Sequence, residues 1–297
     1  MVIKKVGVIG CGLMGHGIVQ VAAQGGATVI ALESEQRFLD SGLARIDKSL
    51  AKLAEKEVEK GKATLEQAKA NASAVRGRIS GTLDKKALAD CDLVVEAIVE
   101  DLGVKLALFK ELGAICKKET ILASNTSSFS ISEMAAVSGR ADRMVGLHFF
   151  NPVQLMKLVE VVRTPQTSDE TFAAARAFGE SCGKTPVACK DTPGFVVNRL
   201  LVPYMSQALM MLERGDATKE DIDAAMQLGC GYPMGPITLT DYVGLDTTLA
   251  IIEGWVKRFP KEPAFAIPEI LRKKVKEGKL GRKSGEGFYK WEGDKKA

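Results

Sequence analysis

Short apolar runs alternate with longer amphipathic stretches over the first two thirds of the chain, and the two periods predict different elements. Val6, Val8 and Ile9 open the series as a strand. A glycine-rich turn follows, then a helix over 13–24 that stops at Gly25-Gly26, then a β-branched run over 28–32 that ends at Glu33. Leu39, Leu43, Ile46, Leu50 and Leu53 recur every three or four positions and mark one face of a long helix. Gly61 breaks that pattern and 65–74 reads as a second helix, so 36–75 is expected to be an antiparallel helical hairpin. Strands are predicted at 92–98, 120–124, 143–149 and 158–162, with helices at 104–115 and 170–181. Such alternation implies a parallel sheet covered on both faces, an α/β Rossmann-type doubly wound fold.

The alternation ends near Asp191-Thr192-Pro193-Gly194, and the remainder reads as all-α. This sets a domain boundary near residue 190, giving 1–189 and 190–297. Residues 195–213 are apolar nearly all round, which predicts burial on most sides, and Pro203 predicts a kink or break there. Thr218 is placed to cap the next helix. Apolar surface in this half, more than one domain of ~100 residues is expected to bury, leads to the expectation of a homodimer.

Composition narrows the class. Net charge is +4, from 41 basic and 37 acidic residues, too mild and too mixed to point to nucleic acid. No apolar stretch reaches the ~20 residues of a membrane helix. The six cysteines are scattered without a Cys-x-x-Cys pair, which argues against zinc and disulfides and for a reducing compartment. A cytoplasmic location is expected, or the mitochondrial matrix for a eukaryotic mature form. The first strand starts so early that no signal or transit peptide is expected in the chain as it stands.

Two groups carry chemistry. In Gly10-x-Gly12-x-x-Gly15 the first glycine permits a tight turn, the second lets backbone approach a pyrophosphate, and the third lets helix and strand pack closely. The helix N-terminus supplies free N–H groups for the anion. Glu33, at the tip of the next strand, is placed to accept from ribose hydroxyls, which favours NAD over NADP. The other group is His148, one of two histidines, in an apolar run, with Glu160 interrupting Leu158-Val159-x-Val161-Val162. Adjacent strands can bring the two together, so that the carboxylate orients the imidazole and the other ring nitrogen takes a proton from an alcohol. A histidine satisfied by a backbone carbonyl, with Glu160 at a solvent-facing sheet edge, fits the same residues. His16 is expected to pack on its helix. Residues 124–128, Ser-Asn-Thr-Ser-Ser, follow a strand directly, where such sheets bind ligands, or cap the next helix.

These residues resemble the L-3-hydroxyacyl-CoA dehydrogenases, including the 3-hydroxybutyryl-CoA dehydrogenases, over essentially the whole chain. The matching motifs are Gly12-Leu13-Met14-Gly15, Leu93-Val94-Val95-Glu96-Ala97, residues 123–128, His148-Phe149-Phe150-Asn151-Pro152 and Met156-Lys157-Leu158-Val159-Glu160-Val161. Further on they are Pro193-Gly194-Phe195-Val196-Val197-Asn198-Arg199-Leu200, Met234-Gly235-Pro236 and residues 281–289. The resemblance implies that His148 is the catalytic base, that Glu160 pairs with it, and that Ser127 and Asn198 contact the substrate around its reacting oxygen. It implies NAD contacts from Gly10, Gly12, Leu13, Met14, Gly15, Glu33, Glu100, Lys105, Ser127, Asn151 and Lys283. It places Ser49 and Lys56 of the hairpin against coenzyme A. Arg45, Lys48, Lys52 and Lys56 form a basic stripe that could meet its phosphates, or a solvated face with Asp47 and Glu55 interleaved. One departure is Gln207 before Ala208, where the family usually carries Glu.

The expected activity is reversible, NAD-dependent oxidation of short- to medium-chain (S)-3-hydroxyacyl-CoA to 3-ketoacyl-CoA. Two rivals are a β-hydroxyacid dehydrogenase with a lysine base, which the His148–Glu160 pairing opposes, and a non-catalytic NAD-binding protein like the related lens crystallins.

Overall fold

The computed structural model describes residues 2–297. By its internal contacts the chain divides into two compact units, Met1–Phe195 and Val196–Ala297. The first is built on an eight-stranded sheet: β1 (Lys5–Ile9), β2 (Thr28–Leu32), β3 (Ile79–Thr82), β4 (Leu93–Glu96), β5 (Ile121–Ser124), β6 (Met144–Phe149), β7 (Leu158–Arg163) and β8 (Thr185–Lys190), in the order β3-β2-β1-β4-β5-β6-β7-β8. The strand order reverses beside β1, which opens a crevice at the carboxyl ends of β1 and β4. Helices α1 (Gly15–Gln24), α2 (Gln36–Glu59), α3 (Leu65–Arg76), α4 (Leu102–Ile115), α5 (Ile131–Ser138) and α6 (Asp169–Ser181) connect the strands.

The sheet is covered on both faces because its central strands are apolar along almost their whole length. Leu93, Val95, Ile121 and Ala123 join one buried cluster with Ile18, Val19, Ile46 and Phe178. Val94 and Leu122 face the other way, into a second cluster with Phe109, Leu112, Ile131 and Met134. Alternation along each strand thus feeds two cores at once.

The sheet is not wholly parallel, as the strand–helix alternation had suggested. β6 and β7 are antiparallel, with β8 parallel to β7. The reason is the connection: residues 150–157 are fewer than the dozen or so that a parallel crossover needs. The two strands of this sheet that the alternation did not predict, β3 and β8, are its two edges. β8 is largely exposed and holds Pro186, which an edge tolerates because one side of it needs no N–H donor.

The hairpin of α2 and α3 is present, with Leu39, Ile46 and Leu50 buried as the periodicity implied. α3 begins at a capping box, Thr64 accepting from Gln67 N–H while the Gln67 side chain accepts from Thr64 N–H. The helix expected from residue 13 starts at Gly15, leaving Leu13 and Met14 in the turn.

The second unit holds α7 (Val197–Arg214), α8 (Lys219–Cys230), α9 (Pro236–Val243), α10 (Leu245–Arg258) and α11 (Glu269–Lys276) around a core that includes Val202, Leu209, Ile252, Trp255 and Leu271. One expectation fails here: α7 is not buried on most sides, with Leu200 69% exposed. Pro203 lies inside α7, which continues past it to Arg214. Thr218 does cap α8, accepting from Asp221 N–H. Two short strands, β9 (Trp291–Glu292) and β10 (Lys295–Lys296), close the chain. Asp241, fully buried, accepts from Phe288 N–H, Tyr289 N–H and the Trp291 indole, which anchors this segment.

Candidate active site

The glycine turn between β1 and α1 is dictated by space. Gly10 has φ +91°, which side-chain-bearing residues rarely adopt, and a Cβ on Gly15 would lie 1.7 Å from the Gly10 carbonyl oxygen. Gly12 differs: a Cβ there would meet nothing within 4 Å, so its backbone faces open space at the start of α1. The crossing of α2 over the turn is equally tight, since a Cβ on Gly42 would lie 2.3 Å from Cys11 Sγ. Glu33 closes the turn from the tip of β2, its Oε1 accepting from Cys11 N–H at 2.6 Å and its Oε2 from Ser34 N–H at 3.1 Å. Burial, with the Glu33 charge adding to it, pushes the Cys11 thiol up to about 12, so it stays protonated and unreactive. His16 turns back on its own helix, with Nδ1 2.7 Å from the Gly12 carbonyl oxygen.

The open amides around Gly12, the start of α1 and the carboxylate of Glu33 fit a dinucleotide: backbone approach for a pyrophosphate, an acceptor for ribose hydroxyls. Each Glu33 oxygen already has one N–H partner, and each keeps a further lone pair for a hydroxyl.

His148 and Glu160 stand directly opposite in the β6–β7 ladder. In an antiparallel pair such residues share a face, with Cβ atoms ~5 Å apart. Glu160 is fully buried and His148 is 6% exposed, with Nδ1 and Oε2 2.6 Å apart. A carboxylate has no proton to donate, so Nδ1 carries the hydrogen and the neutral ring keeps its lone pair on Nε2. Phe150 and Phe195 flank the imidazole, their ring centroids 4.5 and 5.6 Å from its own. Phe195 adopts φ +54°, a left-handed conformation that stores strain of about 1–2 kcal/mol beside the dyad. Of the two readings the sequence allowed for these residues, the paired one is what the structure contains; Glu160 is not at a solvent-facing edge.

A second buried ionic group was not foreseen as such. Glu96 ends β4, is fully buried, and accepts from Lys105 Nζ at 2.5 Å, Ser124 Oγ at 2.6 Å and Ile98 N–H at 2.8 Å. Lys105, 1% exposed on the first turn of α4, also pairs with Glu100 at 3.1 Å. Glu100 in turn accepts from Thr126 Oγ1, Ser128 Oγ and Ser127 N–H at 2.5, 3.1 and 3.3 Å. The network therefore ties the loop after β4 to the loop that carries Ser127. Asn125 fixes that loop to β6, its Oδ1 accepting from Phe149 N–H at 2.8 Å. Glu96 lay in plain view as a carboxylate at the end of an apolar strand, the same signal that singled out Glu160.

The loop of residues 150–157, which carries Asn151, is clamped from two sides. Buried Lys184 donates to the carbonyls of Val153 and Met156, and Gln154 donates to Gln20 of α1. Burial draws Lys184 below the usual lysine range, because only carbonyl dipoles and no carboxylate receive it.

On the hairpin, Arg45, Lys48, Lys52 and Lys56 are exposed and Ser49 is half-buried. Asp47 does not neutralise this stripe. It points to the other side of α2 and pairs with Arg76 of α3 at 2.8 Å. Asn198 and Lys283 belong to the second unit, where Lys283 pairs with Asp246 at 2.5 Å. Among the described residues no cluster of His, Cys, Asp or Glu could hold a metal ion, and no helix is long and apolar enough to cross a membrane.

Comparison with known proteins bears on this geometry. Residues 5–192 match the family model "3-hydroxyacyl-CoA dehydrogenase, NAD binding domain" and residues 194–291 the corresponding C-terminal domain. The chain is 50% identical over 295 residues to the human mitochondrial hydroxyacyl-coenzyme A dehydrogenase, covering 98% of this chain and 92% of that protein. It is 52% identical over 287 residues to a probable 3-hydroxybutyryl-CoA dehydrogenase of Deinococcus radiodurans, covering 97% and 100%. The crystal structure of (S)-3-hydroxybutyryl-CoA dehydrogenase from Ralstonia eutropha superposes with a TM-score of 0.91 at 40% identity, over 98% of this chain and 99% of that one. With both halves matched, and a glycine turn and a buried His–Glu pair on the one sheet, the chain belongs to the 3-hydroxyacyl-CoA dehydrogenase family.

Proposed function

We propose that His148 is the general base of this chain and that Glu160 holds it in its working tautomer. The chain is an NAD-dependent oxidoreductase that interconverts 3-hydroxyacyl-CoA and 3-ketoacyl-CoA. The observation that carries the residue assignment is the 2.6 Å contact between His148 Nδ1 and the buried Glu160 carboxylate, which leaves Nε2 to take the proton of the 3-hydroxyl. The chemistry a bound NAD would supply is a hydride acceptor for C3. The imidazolium so formed is stabilised by Glu160 and later gives its proton to water. In the reverse direction the protonated ring donates to the ketone oxygen.

Gly10, Gly12, Leu13, Met14, Gly15 and Glu33 would hold the adenosine and pyrophosphate half of NAD, as the open turn at Gly12 supports. Glu100, Lys105, Ser127, Asn151 and, from the second unit, Lys283 are assigned to the rest of the cofactor by family resemblance. Ser127 and Asn198 would orient the reacting oxygen. Ser49 and Lys56, with the basic stripe on α2, would meet coenzyme A; the engagement of Asp47 with Arg76 supports this by drawing one of the two interleaved carboxylates away from the stripe. We assign the substrate side and a homodimer contact to the domain over 190–297, supported by exposed Leu200, Leu228 and Tyr232. Short- to medium-chain substrates are the proposed range. The free cysteines suit a reducing compartment, the cytoplasm or, for a eukaryotic mature form, the mitochondrial matrix.

The test is direct. Protein mixed with NADH and acetoacetyl-CoA should consume the absorbance of the reduced nicotinamide, and a flat trace would favour a binding-only protein. Glu33→Ala should weaken NAD binding about tenfold or more, the worth of one lost hydrogen bond to a charged acceptor. Equilibrium titration showing unchanged affinity would remove Glu33 from the ribose site.

A further inference from the structure

We infer that the buried Glu96–Lys105–Glu100 group is an electrostatic device that favours the oxidised over the reduced nicotinamide, with Glu96 as its positioning residue. The inference rests on the reading of this site as an NAD site. Two carboxylates share one ammonium: Lys105 Nζ lies 2.5 Å from Glu96 and 3.1 Å from Glu100. The group therefore carries one net negative charge. Two of its three members are withdrawn from solvent, Glu96 completely and Lys105 to 1% exposure, so the charge is weakly screened.

Its place in the fold gives that charge a direction. The group sits at the carboxyl ends of β4 and β5, joined by Ser124 at the tip of β5 and Glu96 at the tip of β4. Glu33 stands at the tip of β2, on the far side of β1. A dinucleotide laid across the carboxyl ends, with its adenosine ribose at Glu33 and its pyrophosphate at the glycine turn, directs its nicotinamide to the β4–β5 side. The oxidised ring is a cation and the reduced ring is neutral. A fixed negative charge on that side lowers the free energy of the first and leaves the second almost untouched.

Glu96 is the member that makes this possible without touching the cofactor. Fully buried, it cannot be a ligand contact. It fixes Lys105 from below, and Lys105 then fixes Glu100, whose other oxygen holds Thr126, Ser128 and the Ser127 amide. Asp101 adds a further charge nearby, but it is exposed, where solvent screens it, and it accepts from Val104 N–H at the start of α4.

The experiment measures two dissociation constants: that of NADH by its fluorescence, and that of NAD by displacing NADH. Glu96→Gln keeps the side-chain shape and one acceptor oxygen for Ile98 N–H and Lys105, turns its new NH2 as a donor to Ser124 Oγ, and brings the group to zero net charge. The ratio Kd(NAD)/Kd(NADH) should rise roughly 3- to 30-fold, the range for one unit charge acting across a partly solvated cleft. Ser124→Ala removes one hydrogen bond to Glu96 without changing any charge, and should leave the ratio within twofold of the parent. A ratio unmoved by Glu96→Gln, or moved equally by Ser124→Ala, overturns the inference. Should Glu96→Gln fail to fold, Glu100→Gln makes the same charge change at a more exposed position and must raise the ratio likewise. Parent protein that binds neither nucleotide would instead overturn the NAD-site reading itself.

Discussion

Replacing His148 with Ala should lower kcat about 10³-fold, within the 10²–10⁴ range that a positioned general base supplies, and leave the affinity for NADH nearly unchanged. The separation follows from geometry. His148 lies on β6, three strands along the sheet from β1, whereas the glycine turn and Glu33 flank β1. The deletion also leaves Glu160 fully buried without its imidazole, which risks about 3–5 kcal/mol of stability. His148→Gln separates the two effects. Its amide can still donate to Glu160, so stability should recover, but it has no basic nitrogen and kcat should stay low. Steady-state turnover beside a fluorescence titration of NADH decides the matter. Turnover in either variant within tenfold of the parent would remove His148 as the base.

Lys105→Met should destabilise the first unit by about 3–5 kcal/mol, a large part of the stability of an ordinary domain. The lysine is the shared counter-ion of Glu96 and Glu100. Without it Glu96 remains in the interior with a charge answered only by Ser124 Oγ and Ile98 N–H. Urea unfolding followed by circular dichroism measures the loss. Replacing both partners, Lys105→Met with Glu96→Met, should recover most of it, because an apolar pair strands no charge. A single Lys105→Met variant that loses less than ~1 kcal/mol would show that Glu96 is not held as an ion there.

The sequence made the central strands legible because they are apolar along almost their whole length, and the hairpin because its period of 3.6 runs over many turns. β3 and β8 escaped for one shared reason. Edge strands lack the two-sided burial that writes a continuous apolar run; Ile79-Ser80-Gly81-Thr82 and Thr185-Pro186-Val187-Ala188-Cys189-Lys190 read as loops. The direction of β7 could have been read, since residues 150–157 are too few for a crossover. Partial exposure of α7 could not, because composition fixes how apolar a helix is but not what covers it. In the site, His148 and Glu160 stood out as polar residues within apolar strands. Glu96 carried the same mark, yet its tie to Lys105 depends on α4 starting close enough to bring that lysine back over the strand. The clamp by Lys184 had no mark at all, as its partners are backbone carbonyls.

The β6–β7 register has a consequence for how this family can vary. β6 is hydrogen-bonded to β5 on one side and β7 to β8 on the other, so the pairing of His148 with Glu160 is set by strands that extend well beyond the turn joining them. The His148–Glu160 pair is thereby insulated from the length of the segment between its two halves. Residues could be gained or lost among 150–157, reshaping what lies next to the imidazole, while the imidazole and its carboxylate stay in step.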